Sequence, residues 1–403
     1  MSYRHRSARR GIFTRLSAML AGAFVAALLI VGMQLPLLHP RSSVTVTWTT
    51  VSGYPAAALA WPTTGSSALV IPALGVRLSH DDHVAPIASL TKMMTAYVTL
   101  KALPLGVNQT GPCLTVSDAD LATYETMARQ DQSSIPVVVG EQLCERQLLD
   151  GLLVHSAGNF ATMLAELVAG NQADFITRMN DTAKSLGLRA THYADVSGYS
   201  PLSVSTALNQ ANLATQLMRS PVVRAIVIQP SVTLPVGGVE GSFTPYVGVD
   251  HVIGVKSGRT SQAGGCDVMA MTFQDGLRTR VLYAVVLGQR GGDLLGPAGD
   301  AALALANSAI ADRVTSRVAR ATVVARMGWP GHVTRVFTAR PISVSWWAAQ
   351  GPPRVRFVWR DFHRGIRAGE VVGVLQLRSS ASAHVALIAA RAVAPASLWQ
   401  RLR

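Results

Sequence analysis

Pro86-Ile87-Ala88-Ser89-Leu90-Thr91-Lys92-Met93-Met94-Thr95-Ala96-Tyr97 is the stretch that decides how this chain is read. Ser89 and Lys92 stand three residues apart in an apolar run that holds no further Gly or Pro, a spacing that puts both side chains on one face of a helix. The lysine amine can then reach the serine hydroxyl, giving a nucleophile with its own base. Ser89 would lie in the first turn, just after the helix-disfavouring Pro86. Its backbone N–H then has no partner four residues back and is free to meet a developing oxyanion. A bare Ser-x-x-Lys also occurs on ordinary amphipathic helices, so its meaning rests on the rest of the chain.

Upstream, residues 1–15 carry Arg4, Arg6, Arg9, Arg10 and Arg15 with no acid, and no charged residue follows from Leu16 to Leu38. About 20 apolar residues cross a bilayer, and basic residues stay on the cytoplasmic side. Residues 16–38 therefore read as an uncleaved signal-anchor, with 1–15 cytoplasmic and the body of the protein outside the cell. Met33-Gln34-Leu35-Pro36 offers no small-x-small site for a cleaved signal. Residues 39–54 read as a linker, or as the first strand of the adjoining domain.

The net charge of +14 is unevenly spread. Residues 1–40 contribute +5, residues 41–312 contribute −4 and residues 313–403 contribute +13, the last from 15 Arg against Asp361 and Glu370. The basic character belongs to the tail segment, which suggests an anionic membrane or wall polymer as its partner. Nucleic acid is disfavoured by location and by the lack of a binding motif. Three cysteines exclude a disulfide-dense scaffold. Cys113 and Cys144 lie in two short strand-like pieces flanking one insert and could pair in an oxidising compartment. Cys266 reads as a small buried hydrophobe of a strand.

Taken in order, Ala57–Trp61 and Ala68–Ile71 read as a hairpin joined by Pro62-Thr63-Thr64-Gly65-Ser66. His80-Asp81-Asp82-His83 reads as a solvated turn, because consecutive loop positions diverge instead of converging on one ion. The helix from Ser89 ends near Leu103, where Pro104 and Gly106 follow. Residues 107–190 have a helical pattern, with a capping-box start at Ser117-Asp118-Ala119-Asp120. Within them stands Leu152-Leu153-Val154-His155-Ser156-Ala157-Gly158-Asn159-Phe160-Ala161. Later, Val252-Ile253-Gly254-Val255 is an apolar strand ending at Lys256, and Gly258 lets a ligand backbone approach its edge. Cys266–Gln274 and Leu277–Leu287 form a hairpin across Asp275-Gly276, and Pro297–Ala311 is a helix that would pack on that sheet. In the tail, Val355, Phe357 and Trp359 alternate with Arg354, Arg356 and Arg360 as in a half-buried strand. Ser397 to Arg403 mixes Trp399 with Arg and could touch a membrane surface.

Three ordered motifs, Ser89-x-x-Lys92, Ser156 about 65 residues on, and Lys256-Ser257-Gly258 on a late strand, resemble those of penicillin-recognising serine enzymes. The wording around them, including Gly254-Val255-Lys256-Ser257-Gly258 and Ala263-Gly264-Gly265-Cys266, is similar to that of the D-alanyl-D-alanine carboxypeptidases, the low-molecular-mass penicillin-binding proteins. The resemblance runs from about Ala57 to Ile310. It implies an α/β domain of the β-lactamase/transpeptidase type over residues 55–312, an antiparallel sheet with helices on its faces plus a helical subdomain. A small β-rich domain, 313–403, comes after it. The resemblance also implies the roles: Ser89 attacks the carbonyl between two terminal D-alanines of a peptidoglycan stem peptide, and Lys92 is the base. Ser156 relays a proton to the departing nitrogen, Lys256 and Ser257 hold the substrate carboxylate, and the N–H groups of Ser89 and Arg259 form the oxyanion hole. No cofactor or metal is implied, and β-lactams are the expected inhibitors. To act as a base Lys92 must be neutral, which burial and the charge of Lys256 would favour.

The second motif departs from the family's Ser-x-Asn: Gly158 stands at the Asn position and Asn159 one residue later. Asn159 is the candidate displaced amide. If it does not fill that role, a weak or inactive wall-binding scaffold becomes the alternative reading. A β-lactamase would need a deacylating acid after Ser156 in a Glu-x-x-x-Asn setting, and none is found. A Ser-His-Asp hydrolase would need a Gly-x-Ser-x-Gly elbow, which is absent.

Overall fold

The computed structural model describes residues 41–44, 49–50 and 58–395, except 276, 330, 348–351, 363–364 and 379–381. It holds two compact units, one of residues 52–314 with 345–352, the other of the described residues up to 51 with 315–344 and 353–403.

The larger unit is built on a five-stranded antiparallel sheet. Its strands are β1 (Ser66–Ile71), β2 (Val76–His80), β3 (Val252–Thr260), β4 (Gly264–Asp275) and β5 (Arg278–Gln289), in the order β3-β4-β5-β1-β2. Its helices are α1 (Thr91–Ala102), α2 (Asp118–Arg129), α3 (Glu145–Leu153), α4 (Gly158–Ala169), α5 (Gln172–Ser185), α6 (Ala207–Leu217), α7 (Pro221–Val227) and α8 (Leu295–Ala311). The Ala-rich helix α8 packs on β4 and β5 through Ala298, Ala302 and Leu305, while α6 packs on β1 and β5. The small side chains let each helix approach the sheet closely. The remaining helices enclose a continuous apolar core around Met93, Met94, Leu152, Phe160 and Phe175.

Local signals account for most boundaries. Ser117 and Asp120 form the expected capping box of α2. The expected hairpin of β4 and β5 is present but closes at Asp275↔Arg278, one residue later than the Gln274–Leu277 closure of an Asp275-Gly276 turn. The first hairpin differs from expectation. β1 pairs with Val76–His80, across a short 3-10 turn, Pro72–Leu74, closed by Gly75 in the left-handed region, while Ala58–Trp61 forms no strand. Pro72 at the start of that turn and Gly75 at its end are the stronger turn signal. β3 does not end at Lys256 but continues to Thr260, because Ser257, Gly258 and Arg259 stay in register with Asp267, Cys266 and Gly265 of β4. A disulfide joins Cys113 to Cys144, which face each other in the paired strands Cys113–Thr115 and Gln142–Cys144.

The smaller unit is β-rich. Its six-stranded antiparallel sheet runs Arg41–Val44, β6 (Val323–Trp329), β7 (His332–Thr338), β10 (Ser382–Ala389), β9 (Val371–Arg378) and β8 (Arg354–Trp359). One face buries Met327, Val336, Leu375, Leu377 and Leu387 together with Val318 and Val344. Residues 41–44, read as part of a linker or as a first strand, are a strand, but one at the edge of this sheet beside β6. Among the described residues no helix is long and apolar enough to cross a membrane. The expected anchor at 16–38 and the tail at 397–403 lie outside the described residues.

Candidate active site

Ser89 lies in a 3-10 turn, Ala88–Leu90, that leads directly into α1 and brings Lys92 onto the same side. Lys92 Nζ is 2.9 Å from Ser89 Oγ and donates to the Ser197 carbonyl at 2.8 Å. An amine whose N–H is committed to a carbonyl is oriented, so in its neutral form the lone pair is available to the serine proton. Lys92 is buried, and burial lowers its pKa to about 7 against a smaller opposing effect of the Asp195 charge. The loop that supplies Ser197 is locked by Asp195. Its carboxylate accepts from Ser197 Oγ, Gly198 N, Tyr199 N and Ser203 Oγ, and Thr95 Oγ1 donates to Val196 O. Gly198, at φ 83°, is pressed against the Ala88 carbonyl, where a Cβ would stand 1.8 Å from the oxygen. No other residue fits there.

Ser156 lies just past the end of α3. Its φ of 69° is unfavourable for a residue with a Cβ, at about 1–2 kcal/mol. Ala157 N–H to Gly151 O and Gly158 N–H to Ser133 O hold the turn. Ser156 Oγ is buried and has no hydrogen-bond partner among the described residues, so it is uncommitted. The third motif closes the cleft. A Cβ on Gly258 would lie 2.5 Å from Ser89 N, which shows how closely the edge of β3 approaches the nucleophile. Ser257 Oγ donates to Phe243 O at 2.7 Å. Phe243 N–H in turn donates to Val154 O, and its ring packs on His155, so Phe243 ties the second motif to the third.

Ser89, Ser133, Ser156, Phe243, Ser257, Gly258, Arg259 and Leu295 line a cleft of about 50 Å³. Two expected residues are placed differently. Lys256 is fully enclosed behind the cleft wall, its Nζ donating to Ser257 O. Burial and the Lys92 charge hold its pKa well below the usual lysine range, while burial is what lowers that of Lys92. Across the β3–β4 ladder, Asp267 is buried without a hydrogen-bond partner among the described residues, and burial raises its pKa against the pull of Lys256. Asn159 is not brought to Lys92. Its Oδ1 accepts from Ile135 N at 3.1 Å and its Nδ2 donates to Ile135 O at 2.9 Å, so both amide atoms hold the segment that brings Ser133 to the cleft. A Cβ on Gly158 would point at Met127 Sδ and Ser133 O, also away from Lys92. The carbonyl of Ser197 therefore takes the lysine contact expected of an amide. Ser133, Ser197 and Asp195 were not anticipated. The only advance signal was the Asp195-Val196-Ser197-Gly198 turn composition.

A serine with an adjoining buried lysine, a second serine and a strand edge, set between a sheet and a helical cluster, define the serine acyl-transfer class of penicillin-recognising proteins. Residues 76–291 match the D-alanyl-D-alanine carboxypeptidase family, peptidase family S11, and the chain belongs to it. Among curated relatives, a D-alanyl-D-alanine endopeptidase of Pseudomonas aeruginosa is 32% identical over 202 residues, 48% of this chain and 61% of its own length. D-alanyl-D-alanine carboxypeptidase DacC of Escherichia coli is 32% identical over 213 residues, 52% of each chain. The chain thus spans about half the length of the curated relatives it matches. Among solved structures, penicillin binding protein 5 from Haemophilus influenzae aligns with a TM-score of 0.60 at 20% identity, covering 85% of this chain and all of that one. The Streptomyces K15 DD-transpeptidase aligns at 0.54 and 23% identity, covering 62% and 98%.

Proposed function

We propose that this protein is a serine-type D-alanyl-D-alanine carboxypeptidase that trims peptidoglycan stem peptides. The observation that carries the reading is the 2.9 Å approach of a buried lysine, with its pKa lowered to about 7, to Ser89 Oγ. Ser89 Oγ attacks the carbonyl carbon of the penultimate D-alanine while its proton passes to Lys92 Nζ. The developing oxyanion meets the N–H groups of Ser89 and Arg259. Ser156, uncommitted and in the cleft, relays the proton taken up by Lys92 to the leaving D-alanine nitrogen as the C–N bond breaks, giving up its own proton and regaining one from Lys92. Water then cleaves the acyl-enzyme ester. Ser257 at the wall and the Arg259 guanidinium at the rim are the groups that would receive the substrate's terminal carboxylate, with the enclosed Lys256 supporting Ser257 through its carbonyl. A β-lactam would acylate the same serine. Action on cross-links is the same chemistry with a larger leaving group.

The apolar run at 16–38 would anchor the chain in the membrane with the catalytic unit outside, and the basic β-rich domain would engage an anionic surface. Incubation with a peptide ending in D-Ala-D-Ala should release D-alanine, and Ser89→Ala should release none. Equal release by the two proteins would refute the assignment.

A further inference from the structure

Five exposed arginines share one face of the C-terminal sheet. Arg326 of β6 stands directly across from Arg335 of β7, and Arg354 of β8 directly across from Arg378 of β9. Arg356 pairs with Gln376, which pairs with His384 of β10. Residues directly opposite share a face, and the pair Phe337↔Ile388 carries that face across the middle of the sheet. All five arginines and His384 are exposed, whereas the alternate positions form the buried core. Like charges directly opposite are destabilising. Yet no ion pair joins any of the five to a carboxylate among the described residues, and the segment's acids, Asp361 and Glu370, lie between β8 and β9. A face that carries two opposed Arg–Arg pairs without a counter-charge of its own is built to meet one from outside.

Two further observations select the occupant. Between the arginine rows the same face is apolar, with Val358 40% exposed and Phe337 and Ile388 half-buried, and Val333, 60% exposed, extends it on the far side of the Arg326–Arg335 pair. Such a strip gains nothing from a hydrophilic polymer but suits the headgroup boundary of a bilayer. The edge strand of this sheet, Arg41–Val44, also begins three residues after the apolar stretch ends at Leu38, a gap of about 10 Å of extended chain. We infer that this face docks on the surface of a bilayer containing anionic phospholipid, the arginines on phosphate groups and the apolar strip between them at the headgroup boundary. The inference rests on reading residues 16–38 as a membrane anchor.

The test uses the full-length protein in nanodiscs of phosphatidylcholine alone or mixed with phosphatidylglycerol. Val333→Cys carries an environment-sensitive dye, and Leu277→Cys, fully exposed in the larger unit, serves as control. Cys266 is buried and Cys113 is bonded to Cys144, so the introduced thiol alone takes the dye. Spin-labelled lipid should quench the dye at 333 in the anionic discs and not in the neutral ones, and added salt should reverse it. Each arginine should shift the docking equilibrium constant, the ratio of docked to undocked protein, about fivefold, so Arg354→Gln with Arg356→Gln should lower that ratio about 25-fold. Equal quenching in both discs, no quenching in either, or a dye response to soluble poly(glycerol phosphate) instead of lipid would overturn the inference. Failure to elute with the neutral discs would instead count against the anchor reading, leaving the face to be read from vesicles containing phosphatidylglycerol.

Discussion

Lowering the pH from 8 to 5.5 should slow acylation of Ser89 about 30-fold. Lys92 is enclosed by α1 and the 195–200 loop, and burial brings its pKa from 10.5 to about 7. A base with that pKa is about nine-tenths neutral at pH 8 and about 3% neutral at pH 5.5, and the acylation rate follows the neutral fraction. Stopped-flow acylation with a fluorescent penicillin across this range gives the profile directly. The same shift has a stability consequence of fixed sign. Because the folded-state pKa is depressed, the unfolded chain binds more protons between about pH 7 and 10.5, so stability rises with pH in that window and is lost as pH falls through 7. The shift of about 3.5 units corresponds to at most about 5 kcal/mol. Lys92→Met should therefore abolish acylation yet resist denaturant better than the wild type at pH 6, an advantage that shrinks toward pH 9. A flat rate profile, or a midpoint near 10, would refute the argument that burial has made this lysine a base.

Gly258→Ala places a Cβ 2.5 Å from Ser89 N, and a backbone displacement of about 1 Å there should cost about a hundredfold in acylation, measured by penicillin binding kinetics. Asn159→Ala strips both partners from the buried Ile135 backbone and should cost about 2–3 kcal/mol in urea unfolding, with acylation reduced less than tenfold at a temperature where the protein is folded. Glu145 is buried without a hydrogen-bond partner among the described residues and its pKa is raised to about 7. A raised carboxyl is neutral in the fold at low pH, and the stability tied to that state is lost as pH rises through 7. Between pH 5 and 8 the wild type should lose about 2–4 °C in Tm relative to Glu145→Gln.

Much of the architecture was legible where a local signal decides the backbone. The Ser117 capping box, the hairpin of β4 and β5, closed one residue later than Asp275-Gly276 suggests, and the alternation of Val355, Phe357 and Trp359 all correspond to elements that are present. What was not legible depends on long-range pairing. Nothing local in Arg41–Val44 announces a partner at Ala325–Gly328, and Val76–His80 competes with Ala57–Trp61 for β1 only once the Pro72–Gly75 turn is weighed. At the site, side-chain chemistry marked Ser89, Lys92, Ser156 and Ser257, all brought to one cleft or its wall. The Ser197 carbonyl was invisible because every residue has one, and its placement depends on Asp195 and Gly198 holding a loop more than 100 residues away in sequence. Asn159 shows the converse: a conspicuous amide near a motif is consumed by a backbone segment that no pattern connects to it.

The most direct measurement is the intact mass of the protein after incubation with penicillin, alongside Ser89→Ala, with peptide mapping of the adduct. One covalent adduct per chain is expected, located on Ser89 and absent from the variant. An unmodified wild type, or an adduct that persists in Ser89→Ala, would contradict that assignment.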